Sequence, residues 1–201
     1  RQMISDVPIG TFLSGGLDSS LISAVCAREL ANRGEQLNTF SVDYEDNDKY
    51  FVPGKFQPNS DNSYIALMEK ALNSNHHWTV LKPEDLLAEL ENATIARDLP
   101  GMADVDFSLL AFCRRIRQEV KMALSGECAD EIFGGYPWFY RPEMLHSDFF
   151  PWIHAPMLRP SLFDTDVGAG YEYVRTLYKD SLNGCPVLAE DTSDMKLARQ
   201  A

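Results

Sequence analysis

Ser14-Gly15-Gly16-Leu17-Asp18-Ser19-Ser20 joins an apolar run, Ile9 to Leu13, to a second apolar stretch, Leu21 to Ala27. The order reads as strand, tight turn, buried helix. Glycines in such a turn let backbone N–H groups close on an anion, and the helix N-terminus adds partial positive charge. The hydroxyls of Ser14, Ser19 and Ser20 supply further donors. The chemistry that fits is the binding of a nucleotide's phosphates. The common phosphate loop, G-x-x-x-x-G-K-[ST], brings a lysine to the β- and γ-phosphates. This loop has no lysine and carries Asp18 instead. A carboxylate beside a polyphosphate repels it unless a cation stands between them. Mg2+ binds through one or two carboxylates plus phosphate oxygens. The loop composition therefore predicts a Mg2+-bridged polyphosphate.

A second motif follows another apolar run. Ser125-Gly126-Glu127-Cys128-Ala129-Asp130-Glu131-Ile132-Phe133-Gly134-Gly135-Tyr136 comes directly after Val120 to Leu124. Glu127, Asp130 and Glu131 crowd three acids into five positions. Residues three and four apart on a helix share a face, so Glu127 with Asp130 or Glu131 is expected to point at one site. Both Ser-Gly motifs stand at the carboxyl ends of predicted strands. Open parallel sheets bind their ligands there, at a topological switch point.

The elements that must position these motifs alternate along the chain. Strands are predicted at 9–13, 37–42, 76–81 and 120–124, and helices at 18–32, 63–72, 82–97 and 106–119. Pro83 with Glu84 and Asp85 marks one helix start. Residues 43–62 read as a polar loop long enough to be functional or mobile. Strands separated by helical runs imply βαβ units and a parallel sheet. The fold class expected is α/β, an open parallel sheet with helices on both faces. After Gly135 strand signals vanish and aromatics and prolines crowd 136–160. Residues 1–135 are taken as the core and 136–201 as an incomplete helical extension, with 171–182 helical in spacing.

The first motif resembles the PP-loop, S-G-G-x-D-S, of the adenine nucleotide α-hydrolase superfamily. That resemblance implies ATP as the nucleotide and cleavage between its α- and β-phosphates. It also implies adenylylation of a carboxylate or carbonyl oxygen, with pyrophosphate released. The two motifs together resemble the synthetase domain of the glutamine-hydrolysing asparagine synthetases. Asn75-His76-His77-Trp78 is similar to a His-His element of the same family. The common family motif has glycine where Cys128 stands, and cysteine is expected there as a tolerated small residue.

The family resemblance implies site roles by position. Asp18 and Asp130 match residues that bind Mg2+ and pyrophosphate. Ser14, Gly15, Gly16, Ser19 and Ser20 match the pyrophosphate loop. Phe12 or Leu13 and Val42 match backbone positions that hold adenine. Ser125 and Gly126 match contacts to the nucleotide end of the intermediate. Glu127 resembles the carboxylate set against the acyl-adenylate and the incoming ammonia, where its chemistry is proton handling. The implied substrates are ATP, aspartate and ammonia, and the implied product is asparagine by way of β-aspartyl-AMP. Another carboxylate-adenylating amidotransferase, of the β-lactam synthetase kind, is the rival within this chemistry. A non-catalytic nucleotide-binding module is the rival outside it.

Bulk properties narrow the field. Thirty acids against eighteen bases give a net charge of −12, which argues against a nucleic-acid partner and against a tRNA-modifying relative. No signal peptide or long apolar span is seen, so a membrane partner is not supported. The four cysteines form no C-x-x-C pair and read as reduced thiols in a cytoplasmic setting. The chain opens on Arg1 and stops in a helix-like run, so it is expected to be a fragment lacking the family's N-terminal glutaminase domain and inactive alone. A homodimer is left open. His76 and His77 are expected to be structural, because neighbours on a strand face opposite sides. Asp104 to Asp106 is expected to cap the helix that follows. The aromatic cluster 136–140 is expected to pack in a core. Trp152 and Phe149-Phe150 are expected on an exposed apolar patch.

Overall fold

The computed structural model describes residues 2–54, 59–99, 101–145, 149–150, 152–153 and 169–184. The chain divides into two compact units, Arg1–Gly126 and Glu127–Ala201.

In the first unit β1 (Ile9–Phe12), β2 (Asn38–Tyr44), β3 (Asn75–Leu81) and β4 (Met122–Leu124) form a single sheet. The order is β3-β2-β1-β4, and every pair is parallel. The connections hold α1 (Leu17–Ala31), α2 (Asn47–Tyr50), α3 (Asn62–Leu72), α4 (Pro83–Arg97) and α5 (Ala103–Ile116). The chain steps outward from β1 to β2 and β3, then returns to the other side of β1 as β4. That reversal makes the β1/β4 boundary a topological switch point.

Side chains alternate between the faces of a strand. Phe12, Phe40, Val42 and Ala123 pack with Val120 and with Phe112 and Ile116 of α5. Leu37 and Leu124 pack with Ile22, Cys26, Ala27 and Leu30 of α1 on the opposite face. Helices therefore cover both faces of the sheet, as the strand and helix pattern predicts. The α1 face is partly polar inside. Thr11 is fully buried, and its Oγ1 lies 2.7 Å from Ser23 Oγ.

Helix α1 departs from expectation. It is not buried all round: Leu17 is 82% exposed, and Leu21 and Val25 are also exposed. The buried stripe is Ser19, Ser23, Cys26 and Leu30. A helix lying on one sheet buries one stripe only. Here that stripe carries serines, because their hydroxyls bond to the strand and to the loop.

Helix α5 begins at Ala103, with Met102 as N-cap and no side-chain cap. The expected capping by Asp106 does not occur. Asp106 sits inside the helix, where its buried carboxylate pairs with Arg97 of α4. Glu89 of α4 pairs with Arg114 of α5 in the same way. Two ion pairs thus tie α4 to α5, and the acid is used across helices rather than at an end. Asp104 lies outside the residues whose side chains are described.

His76 and His77 stand in register with Thr39 and Phe40, on opposite faces. His77 Nε2 lies 2.9 Å from Asn38 Oδ1, and its ring stacks on Phe40 at 4.8 Å. His76 Nδ1 lies 2.8 Å from Thr39 Oγ1, while its buried Nε2 has no hydrogen-bond partner among the described residues. Burial lowers the His76 pKa, with Glu69 opposing and His77 adding to the effect. The unfolded chain then binds a proton more readily than the fold does. Stability from the neutral ring is complete above the unfolded value of about 6.5 and falls as pH drops from there toward the lowered folded value. Urea midpoints measured from pH 7.5 to 5.5 are expected to fall in the native chain and to fall less in His76→Gln. Equal slopes in the two proteins would remove His76 as the cause.

In the second unit the described elements are α6 (Ala129–Phe133), a 3-10 turn (Pro137–Phe139), α7 (Pro142–Leu145) and α8 (Ala169–Gly184). Tyr136 stacks on Trp138 at 4.2 Å, but the cluster is not the buried core expected: Tyr140 is exposed and Tyr136, Trp138 and Phe139 are half-buried. Phe149 corrects the expected exposed patch: it is buried and stacks on Tyr171 of α8 at 5.4 Å. The nearby ring Phe150 stacks on Trp152, which stays partly exposed. Cys26, Cys113 and Cys128 are free thiols, and Cys185 lies outside the described residues. No described helix is long and apolar enough to cross a membrane.

Candidate nucleotide site

The loop after β1 is held from both sides. Leu13 is buried, its N–H donates to the Phe40 carbonyl at 2.8 Å, and its carbonyl accepts from the Ser41 hydroxyl. Ser19 is also buried and builds the turn from inside. Its hydroxyl donates to the Gly16 carbonyl at 3.2 Å and accepts from the Ser14 N–H at 3.2 Å. Ser14 Oγ lies 2.9 Å from Ser19 Oγ and accepts from the Gly16 N–H at 3.3 Å. Two of the three serines thus knit the loop to itself. Gly16 is the N-cap of α1, and no side chain caps the helix. The first N–H groups of α1 are therefore left for an anion. Asp18 stands half-buried in that first turn.

β4 brings part of the second motif to the same place. Thr11 of β1 is level with Leu124 of β4, so the two strands end side by side. A side chain on Gly126 would start 3.0 Å from Ser19 N and 3.1 Å from Asp18 Cβ. Ser125-Gly126 therefore runs directly against the first turn of α1. Glycine is required for that close approach.

A cavity of about 480 Å³ opens at the carboxyl ends of β1 and β2. Phe12, Leu13, Ser14 and Val42, all singled out in the sequence, line it. Its apolar wall includes Phe40, Leu109 and Phe112, with the Phe12 and Phe112 rings 5.4 Å apart. Its polar wall includes Asp43, Asn47, Asp61 and Asn62. Asp43 accepts from Asn47 Nδ2 at 2.7 Å and from Asn62 Nδ2 at 2.9 Å. Tyr44 donates its hydroxyl to Ser108 of α5 at 2.8 Å. Sequence reasoning missed this polar wall. The available signal was the polar stretch 43–62, read as functional or mobile without a role for any residue in it.

The remaining acids belong to the second unit. Glu127 precedes α6 and is not on it, because Cys128 is the N-cap with a left-handed φ of 68°. The expected shared helical face of Glu127 with Asp130 or Glu131 is therefore absent; Asp130 and Glu131 alone occupy the first turn. Tyr136 donates its hydroxyl to Glu131 Oε1 at 3.2 Å. Partial burial, the bond to Glu131 and the charges of Asp130 and Glu127 push the Tyr136 pKa up, so the phenol keeps its proton. Among the described residues no group of three or more His, Cys, Asp or Glu is placed to hold a metal ion alone.

The family model described as asparagine synthase matches residues 1–199. The chain belongs to the asparagine synthase family. It is 47% identical over its whole length to asparagine synthetase [glutamine-hydrolyzing] 3 of Bacillus subtilis, of which it covers 33%. It is 36% identical over 70% of its length to asparagine synthetase [glutamine-hydrolyzing] 1 of the same organism, covering 20% of that protein. The asparagine synthetase of Asparagus officinalis is 33% identical over 70% of the chain, with 23% of the relative covered. The chain thus spans a third or less of the length of these curated relatives.

Membership in the asparagine synthase family gives meaning to Cys128. The motif that the chain resembles has glycine there, and the backbone keeps the left-handed angle that suits glycine. An L-residue pays about 1–2 kcal/mol in this region, and glycine costs roughly 0.5–1 kcal/mol in unfolded-chain entropy. Cys128→Gly is therefore expected to stabilise the second unit by about 0.5–1 kcal/mol. A rise in its urea midpoint checks this, and a fall would show that the thiol contributes packing that outweighs the strain.

Proposed function

We propose that this chain is the ATP-binding synthetase region of a glutamine-hydrolysing asparagine synthetase. The observation that carries the reading is the continuity of the cavity with the phosphate loop. Ser14 belongs to both. The cavity volume falls within the range of ordinary small-ligand sites, about 300–1,000 Å³. Among the described residues, Asp43 and Asp61 line the cavity and no lysine or arginine does. A polyphosphate is repelled by such walls, while an uncharged nucleoside is accepted. Adenosine therefore enters the cavity against Leu13 and Val42, and the phosphates stay outside, over the Gly15-Gly16 turn and on the first turn of α1. Ser125 and Gly126 border the phosphate end.

The loop fits Mg2+ rather than a lysine. Its charged side chain is Asp18, and the described residues lack an all-protein metal cage. Mg2+ held by carboxylate and phosphate oxygens together meets both conditions. Asp18 would be a protein ligand in the loop, and Asp130 is taken as a ligand on the strength of its motif position alone. Bound Mg2+ would supply charge neutralisation of the departing pyrophosphate.

In the reaction so read, the side-chain carboxylate of aspartate attacks the α-phosphorus of ATP. A P–O bond forms, pyrophosphate leaves, and β-aspartyl-AMP results. Ammonia then displaces AMP to give asparagine, with Glu127 handling the protons that ammonia sheds. In the whole protein, glutamine would supply the ammonia through a glutaminase domain. The cytoplasm is the expected setting.

Two measurements test the reading. Calorimetry on this chain is expected to show ATP binding that strengthens with Mg2+. Pyrophosphate exchange by the full-length enzyme, run over a panel of carboxylic acids, is expected to single out aspartate. Exchange with a different acid would support the rival amidotransferase, and no exchange at all would support a binding module.

A further inference from the structure

We propose that Gly135 is a positioning residue, whose missing side chain gives the Asp130 carboxylate its seat. This rests on the reading of Asp130 as a Mg2+ ligand. Asp130 lies in the first turn of α6, and Gly134 ends the helix with a left-handed φ of 68°. The chain then folds back, and the Gly135 N–H donates to the Asp130 carbonyl at 2.9 Å. A Cβ on Gly135 would lie 1.9 Å from Asp130 Oδ1 and 3.0 Å from its Cγ. The carboxylate therefore occupies the space of the absent side chain. Gly135 cannot back away without giving up its bond to the Asp130 carbonyl. The same residue is held by its backbone and seated by its side chain.

The oxygen in the way is the free end of a rotatable side chain. Alanine at 135 is thus accommodated by turning the carboxylate aside, with the backbone of the turn kept. The oxygen must move by about 1 Å or more, and misplacements of that size can cost on the order of 100-fold at a reacting centre. The Gly-Gly pair of the motif then has two distinct roles. Gly134 supplies the turn, and Gly135 supplies the room.

The test is calorimetry of Mg2+-pyrophosphate binding to the full chain, with far-UV circular dichroism to follow the fold. Asp130→Asn and Gly135→Ala are each expected to weaken binding by about 10- to 100-fold, with native helical content retained. The double variant is expected to bind no more weakly than Asp130→Asn alone, because both act through one carboxylate. Adenosine affinity is expected to be unchanged in Gly135→Ala, a split that general loss of structure would not produce. Native binding by Gly135→Ala beside weakened Asp130→Asn would overturn the positioning role alone. Additive losses, or lost adenosine binding, would do the same. Native binding by Asp130→Asn, or none by the unsubstituted chain, would overturn the reading of Asp130 itself.

Discussion

Replacing Asp18 by alanine is expected to reverse the effect of Mg2+ on pyrophosphate binding. In the native chain the uncapped first turn of α1 attracts the anion, while the Asp18 carboxylate in that turn repels it. Mg2+ between them turns repulsion into attraction. A unit charge pair 4 Å apart is worth about 4 kcal/mol at an effective dielectric near 20. Asp18 is only half-buried, so solvent reduces this, and a change of roughly 10- to 100-fold in affinity remains. With the carboxylate gone, the metal-free anion meets only N–H groups and the helix dipole. Pyrophosphate is then expected to bind more tightly in EDTA than it does to the native chain, and more weakly in Mg2+. Asp18→Glu is expected to keep the native sign. Calorimetric titrations in Mg2+ and in EDTA decide it. If Mg2+ strengthens binding to the alanine variant as much as to the native chain, Asp18 does not face the metal.

The strand, turn and helix around this loop were legible because local signals agree there. An apolar run, two glycines and a second apolar run leave few alternatives. What the local pattern could not carry was decided by distant partners. β2 runs on through Asp43 and Tyr44, polar residues that read as loop, because they pair with Val80 and Leu81 of β3. The α5 wall of the cavity, Ser108 and Phe112, meets β2 across more than 60 residues of sequence, and no local pattern reports such a meeting. Asp106 looked like a cap because caps are the commonest use of aspartate near a helix start. A buried partner in α4 outweighed that preference. Glu127 was placed on a helix by spacing alone, whereas the left-handed Cys128 starts the helix after it.

The serines show the same limit on a smaller scale. Type and position suggested that all three hydroxyls of the loop point at the anion. The fold places Ser19 inside, where its oxygen binds Ser14 and Gly16. Their value to the site is a loop of fixed shape, which presents the first N–H groups of α1 to phosphate without rearrangement. A motif written as residue letters does not separate the groups that touch a ligand from those that hold the loop open.

That distinction makes the two adjacent glycines unequal, and Gly15→Ala is expected to be the most damaging small substitution in the loop. Gly15 has φ +79°, and a Cβ there would lie 3.0 Å from the Asp61 carbonyl oxygen, 3.0 Å from Tyr64 Cβ and 3.2 Å from Ile65 Cγ1. The left-handed angle costs about 1–2 kcal/mol for an L-residue, and overpacking adds about 1–3 kcal/mol. A backbone oxygen and a Cβ cannot rotate aside, so the start of α3 must retreat. Asn62 holds that start to Asp43 at 2.9 Å, and Asp61, Asn62 and Ile65 all line the cavity. The strain therefore reaches the loop and the cavity together. Gly16 has an ordinary φ of −72°, and the nearest atom to a Cβ there is Ser14 Oγ at 3.3 Å. Gly16→Ala is expected to cost under about 1 kcal/mol, as for other changes at an N-cap. Urea midpoints are expected to show Gly15→Ala destabilised by about 2–5 kcal/mol. Calorimetry on the folded fraction is expected to show both adenosine and pyrophosphate binding impaired by Gly15→Ala. Equal effects of the two substitutions would mean that the contact with α3 does not shape the site.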